Sequence, residues 1–153
     1  MISSTAYDAA RVQSEPRSGA APRVVAIGGG TGLPNVLRGL RPLLYPDGAT
    51  DHNRDRLVAI VATSDDGGSS GRLRAEFNMI PPGDIRNCLS ALTENASDLA
   101  EMFQYRFETG DGLTGHAMGN LMIAALADVT RDFAQAVEAV SRMLGACGLV
   151  LPA

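Results

Sequence analysis

A chain of 153 residues with 45% hydrophobic and 20% charged side chains has the size and composition of one globular domain with a genuine core. Its formal net charge of −4 and its 5% aromatic content without Trp exclude an electrostatic or base-stacking nucleic-acid binder. All 13 basic residues are Arg, which excludes the lysine of a P-loop and any Schiff-base lysine.

Residues 1–22 contain Asp8 and Glu15, lack a continuous apolar stretch and end in Pro16-Arg17-Ser18-Gly19-Ala20-Ala21-Pro22. They read as a disordered leader, neither secretory signal nor membrane span, and the folded part is expected over 23–153. Cys88 and Cys147 stand far apart without a CxxC partner, so each reads as a small buried apolar residue. With no export signal and no disulfide framework, the expected location is the cytoplasm.

The apolar run Val24-Val25-Ala26-Ile27 predicts a strand, and Gly28-Gly29-Gly30-Thr31-Gly32 follows it directly. Glycines between a strand and a helix tolerate positive φ, admit another molecule close to the backbone and present N–H groups at a helix N-terminus. That is the chemistry of a phosphate cradle; the plainer reading is a tight turn that binds nothing. Only part of the dinucleotide fingerprint is present, because Leu33 stands where its third glycine belongs. Leu33, Leu37, Leu40 and Leu44 place one apolar stripe on the next helix, which Pro42 and Pro46 should limit. The polar segment Pro46 to Arg56 predicts a surface loop with a solvated His52. Leu57 to Ala62 then reads as a strand buried on both faces, completing a βαβ unit with a parallel sheet.

The tract from Thr63 to Arg74 reads as a second strand-end loop opening on the same crevice as the glycine loop. Its Asp65 and Asp66 could hold Mg2+, which takes one or two carboxylates plus substrate phosphates and waters. Ser69, Ser70 and Arg72 could bind oxyanions, or the serines could simply be solvated. Pro81-Pro82-Gly83-Asp84-Ile85-Arg86-Asn87 leads into a periodic helix in which Asp84 could be an ordinary N-cap. Further helices are expected where Leu99, Met102 and Phe103 share a face and where Phe133, Val137, Val140 and Leu144 recur. Asn120 to Ala127 is apolar nearly all round and predicts a central, fully buried helix. At its start His116 and Asn120, four apart on one helical face, could hydrogen-bond a ligand or each other. Gly145 and Gly148 end the last helix, and Leu149-Val150-Leu151 starts a strand, so the sheet is expected to continue beyond Ala153.

Five ordered segments together resemble the YvcK/CofD family, and within it the YvcK branch of bacterial gluconeogenesis factors. They are the glycine loop, Asp65 to Arg74, Pro81 to Leu89, Phe103-Gln104-Tyr105-Arg106-Phe107 and Gly115-His116-Ala117-Met118-Gly119-Asn120-Leu121. The resemblance spans residues 23–153 and implies a Rossmann-like α/β fold with a parallel sheet, a helix-rich C-terminal half and further strands past Pro152. It implies a nucleotide-sugar or nucleoside diphosphate ligand, in particular a UDP-sugar, in a regulatory protein of gluconeogenic growth, cell shape and cell-wall precursor supply. The other branch implies a Mg2+-dependent transferase that moves a phospholactyl group from a guanosine-diphosphate-linked donor to a deazaflavin. Carried over by motif, Gly28, Gly29, Gly30, Thr31 and Gly32 line the phosphate region, Asp65 and Asp66 the metal region, and Asp84, Arg86 and Asn87 the crevice wall. No catalytic residue, regulatory protein partner or oligomeric state is assigned by these motifs, although a homo-oligomer is compatible with them.

Overall fold

The computed structural model describes residues 22–50, 52–64, 67–94 and 97–153. The predicted leader, apart from Pro22, and the pair Asp65 and Asp66 lie outside the described residues. Three parallel strands, β1 (Val24–Gly28), β2 (Leu57–Val61) and β3 (Leu149–Pro152), form one sheet in the order β1-β2-β3. The helices are α1 (Gly32–Leu44), α2 (Gly68–Phe77), α3 (Gly83–Leu92), α4 (Asp98–Gln104), α5 (Met118–Thr130) and α6 (Phe133–Met143), with a 3-10 turn at Arg54–Arg56. No helix among the described residues is long and apolar enough to cross a membrane.

The leucine stripe buries Leu33, Leu37 and Leu44 against the sheet, as its spacing demands. Pro42 does not end α1; it sits in the last turn, where only the hydrogen bond back to Arg38 is lost, and the helix runs to Leu44. In α3, Ile85, Leu89 and Leu92 are fully buried beside Leu57, Ala59 and Val61 of β2. Helices α1 and α3 touch each other and the strands, so one face of the sheet carries the core. Cys88 and Cys147 are free thiols within it, and burial pushes both up to about 12.

The entry into β2 is fixed by polar bonds that an apolar pattern does not announce. Tyr45 is 3% exposed; its hydroxyl accepts from the Leu57 N–H at 3.0 Å and donates to the Arg54 carbonyl at 2.9 Å. Arg54 in turn donates to Glu138 at 2.9 Å, Ser141 Oγ at 2.8 Å and the Gly148 carbonyl at 3.2 Å. The loop before β2 is thereby tied to α6 and to the turn before β3, while His52 within it is exposed as expected.

Four expectations are corrected. The segment from Gly68 on is a helix, not a loop: Ser69, Ser70 and Leu73 are buried on it. Met102 is 44% exposed, since the seven-residue α4 buries only Phe103. Helix α5 is not buried all round, because only Gly119, Asn120, Ile123 and Ala124 are fully buried, with Met122 and Leu126 packed partly buried against the core. Finally, among the described residues β2 is fully buried on one face alone; Val58 and Ile60 point to the other and are half-buried.

Candidate functional site

Parallel strands end on one side, and that side gathers the first group of expected residues. The Ala62 N–H donates to the Gly28 carbonyl at 2.7 Å, and the Ala153 N–H to the Val61 carbonyl at 2.9 Å. Gly30 has φ +59° and open space where a side chain would project. It satisfies both reasons for a glycine here, positive φ and room for close approach. A Cβ at Gly29 would lie 2.8 Å from Asp84 Oδ2 and 3.3 Å from the Ala62 Cβ. Helix α1 begins at Gly32, and no side chain caps it. Thr31 and Gly32 are exposed at this end.

Asp84 is not the N-cap of α3. That position belongs to Pro82, without a side-chain cap, while the Asp84 carboxylate reaches across to accept the Gly30 N–H at 2.6 Å. The glycine loop therefore already faces one carboxylate oxygen. A diphosphate brought to the same N–H groups would meet a like charge, unless a cation bridged the two. Asp84 is thus a fitting oxygen donor for Mg2+, which would complete its shell with ligand phosphates and water. Among the described residues no cluster of three or more His, Cys, Asp or Glu side chains supplies a closed metal site.

Two residues further along α3, Arg86 is only 8% exposed. Its guanidinium donates to Gln104 Oε1 at 2.5 Å and to Asn87 Oδ1 at 2.7 Å, and its Nε–H has no partner among the described residues. Both acceptors are neutral amides, and no carboxylate pairs with Arg86 among the described residues. Burial, then the neighbouring Arg106 charge, lowers its pKa. A buried cation without a counter-charge is costly to a fold and suits a receptor for an anion. Asn87 and Gln104 also line a cleft of about 500 Å³ with Arg38 and Ser90.

The third group joins α2 to α5. Asn120 Nδ2 donates to Ser69 Oγ at 3.0 Å, and Ser69 Oγ lies 2.9 Å from His116 Nδ1. The Ser69 hydroxyl, with one hydrogen and two lone pairs, can donate to Nδ1 or accept from it, according to the imidazole tautomer. His116 and Asn120 meet through Ser69 rather than directly, and His116 precedes α5 instead of lying on it. Burial first, then Arg72 and Arg106, lower the His116 pKa, against an opposing pull from Glu76. Arg72 donates to the Thr114 carbonyl at 2.6 Å and Arg106 to that of Gly115 at 2.6 Å. Ser70 is buried beside Ser69.

The structure thus brings Gly29, Gly30 and Asp84 into contact, joins Ser69, His116 and Asn120, and links Arg86 to Asn87. Arg106 acts electrostatically on both Arg86 and His116, so these groups share one basic region. Gln104 and Arg106 had no role in the sequence reading; their place in the Phe103 to Phe107 motif was the available signal.

The family described as 2-phospho-L-lactate transferase CofD matches residues 24–153. The chain belongs to this family. Among the family's members, it is 53% identical to a putative gluconeogenesis factor of Nostoc sp. over 86% of this chain and 27% of that protein. It is 47% identical to the gluconeogenesis factor of Bacillus subtilis over 88% of this chain and 39% of that protein. A crystal structure of protein BH3568 from Bacillus halodurans superposes with a TM-score of 0.74 at 47% identity, covering 86% of this chain and 40% of that one. The CofD-family chain described here therefore spans about a quarter to two fifths of the length of these relatives.

Proposed function

We propose that this chain carries part of a cytoplasmic nucleotide-sugar site, with a UDP-sugar as ligand, in a regulatory protein of the gluconeogenesis-factor type. The role we assign to it is in cell shape and cell-wall precursor supply during gluconeogenic growth. The observation that carries the reading is Arg86, a buried guanidinium held by neutral amides on the same helix as Asp84, whose carboxylate holds the glycine loop at the strand ends. A diphosphate supplies the missing counter-charge, and Mg2+ relieves its repulsion by Asp84; Asp65 and Asp66 are the further carboxylates we assign to that cation. Gly28 to Gly32 provide backbone donors, and Asn87 with Gln104 keeps the Arg86 fork oriented. The Ser69, His116 and Asn120 network holds α2 and α5 in place around the site, with Ser70 buried beside it and Arg72 on the rim. The names of the relatives favour the gluconeogenesis-factor part of this reading.

The family description favours a second reading, a phospholactate transferase. There Mg2+ would neutralise diphosphate charge during displacement at phosphorus, with Asp84 holding the glycine loop in place. Incubation separates the two. The binder raises its melting temperature with UDP-glucose and Mg2+, as any ligand specific for the native state does, and returns the ligand unchanged. Release of GMP from a guanosine-diphosphate-linked phospholactyl donor, dependent on a deazaflavin acceptor, would overturn the binder in favour of the transferase.

A further inference from the structure

The cleft of about 500 Å³ that Asn87 and Gln104 line has a chemistry of its own. Arg38 and Arg41 border it from the later turns of α1, and Asn87 and Ser90 from α3, so it runs along these helices away from the strand ends at which both begin. Its side nearest Arg86 is made of hydrogen-bond donors. A guanidinium only donates, so the two Arg86 bonds turn Asn87 Oδ1 and Gln104 Oε1 toward it and leave both amide NH2 groups to the cleft. Ser90 adds a hydroxyl whose buried Oγ has no partner among the described residues. Arg38 donates to Asn35 Oδ1 at 2.8 Å and keeps the rest of its fork. Two amides, a hydroxyl and a guanidinium around one cleft make a receptor for an oxyanion.

The opposite sign stands in the same cleft. Glu94, just past α3, and Glu101, on α4, line it and form no ion pair with Arg38, Arg41 or any other cation among the described residues. Arg41 is engaged at the end of α3, donating to the Ala91 and Thr93 carbonyls. An ion pair across the cleft would cancel these charges; held apart, they are complementary to a molecule that carries both signs. We infer that the cleft is a second binding site, for a small zwitterionic amino-carboxylate. The carboxylate sits on Arg38, Ser90 and the amide NH2 groups of Asn87 and Gln104, and the ammonium group on Glu101 and Glu94. The volume is that of a small-molecule site. A diphosphate would meet the two glutamates as like charges, so the cleft is no extension of the nucleotide site proposed above, and the inference stands independently of that reading.

Calorimetric titration of the chain with glycine, γ-aminobutyrate and ε-aminocaproate, whose two charges lie progressively further apart, tests this. At least one should bind saturably at millimolar concentration, and its analogues lacking the ammonium or the carboxylate group should bind at least about tenfold more weakly. Arg38→Met and Glu101→Gln change exposed side chains and should keep the melting temperature, while each weakens the bound zwitterion at least about tenfold. No saturable binding by any of the three, equal binding of the analogue without an ammonium group, or unchanged affinity in either variant would overturn the inference. Displacement of the zwitterion by UDP-glucose with Mg2+ would overturn it as well, by making the cleft part of the nucleotide site. A chain that binds the zwitterion and not UDP-glucose would uphold this inference and contradict the proposed function.

Discussion

At the residue scale the central fact is that charge and position are decoupled in α3. Asp84 leaves its own helix uncapped in order to hold Gly30, and Arg86 is buried among amides. Asp84→Asn keeps an acceptor for the Gly30 N–H but removes the charge. We expect UDP-glucose binding to weaken in Mg2+ and to stay equal or tighten in EDTA, read by titration in both buffers. Equal losses in the two would make Asp84 a loop-positioning residue alone. In Asp84→Ala the Gly30 amide, being exposed, turns to water, and we expect urea unfolding to show a loss of only about 1 kcal/mol.

His116 makes a pH prediction of definite sign. Its folded pKa lies below the ordinary value of 6.5, so the unfolded chain binds the proton first. The contribution of the neutral imidazole is complete above 6.5 and is lost as pH falls from there toward the folded pKa. Urea midpoints should therefore drop between pH 7.5 and pH 5.5, and His116→Gln should flatten that part of the slope. An unchanged slope in the variant would mean that other groups govern it. None of this was visible in the sequence, where Asp84 read equally well as a cap and nothing showed that Arg86 lies inside. The contact of Gly30 with Asp84 spans 54 positions, and no local pattern encodes such a distance.

At the element scale, legibility followed apolar periodicity. Strands β1 and β2, helix α1 and helix α6 declared themselves because Val, Ile and Leu recur at the period of each element. Helix α2 did not, because Gly68-Ser69-Ser70-Gly71 has low helix propensity and only Leu73 anchors it in the core. Its first turn is held instead by tertiary bonds from Ser69 to α5 and the loop before it. The α4–α5 crossing shows the same dependence on contacts distant in sequence. A Cβ at Gly119 would lie 2.6 Å from the Phe103 carbonyl oxygen and 2.7 Å from its ring. Backbone cannot yield as a side chain end can, so Gly119→Ala should cost about 1–3 kcal/mol in urea unfolding. A neutral result would mean that the two helices slide apart freely.

At the scale of the whole molecule, the βαβ order and the parallel sheet were legible from strand, glycine turn, helix and strand in succession. That β2 is fully buried on one face and half-buried on the other among the described residues was not, because the composition of a continuous apolar run such as Leu57 to Ala62 does not distinguish the two cases. The candidate site was legible as a set of motifs but not as a charge arrangement. In the proposed site, Arg86 awaits a diphosphate. Replacing that uncompensated charge by an apolar side chain of similar length should relieve the fold, so Arg86→Met should keep or raise the melting temperature while the site loses its anion receptor. The direct measurement is calorimetric titration of UDP-glucose with Mg2+ into the wild-type chain and into Arg86→Met. The first should bind saturably and a fully folded second at least about tenfold more weakly, ~1.4 kcal/mol. Equal affinity of the two proteins, or no saturable heat from the wild type at millimolar ligand, would contradict it.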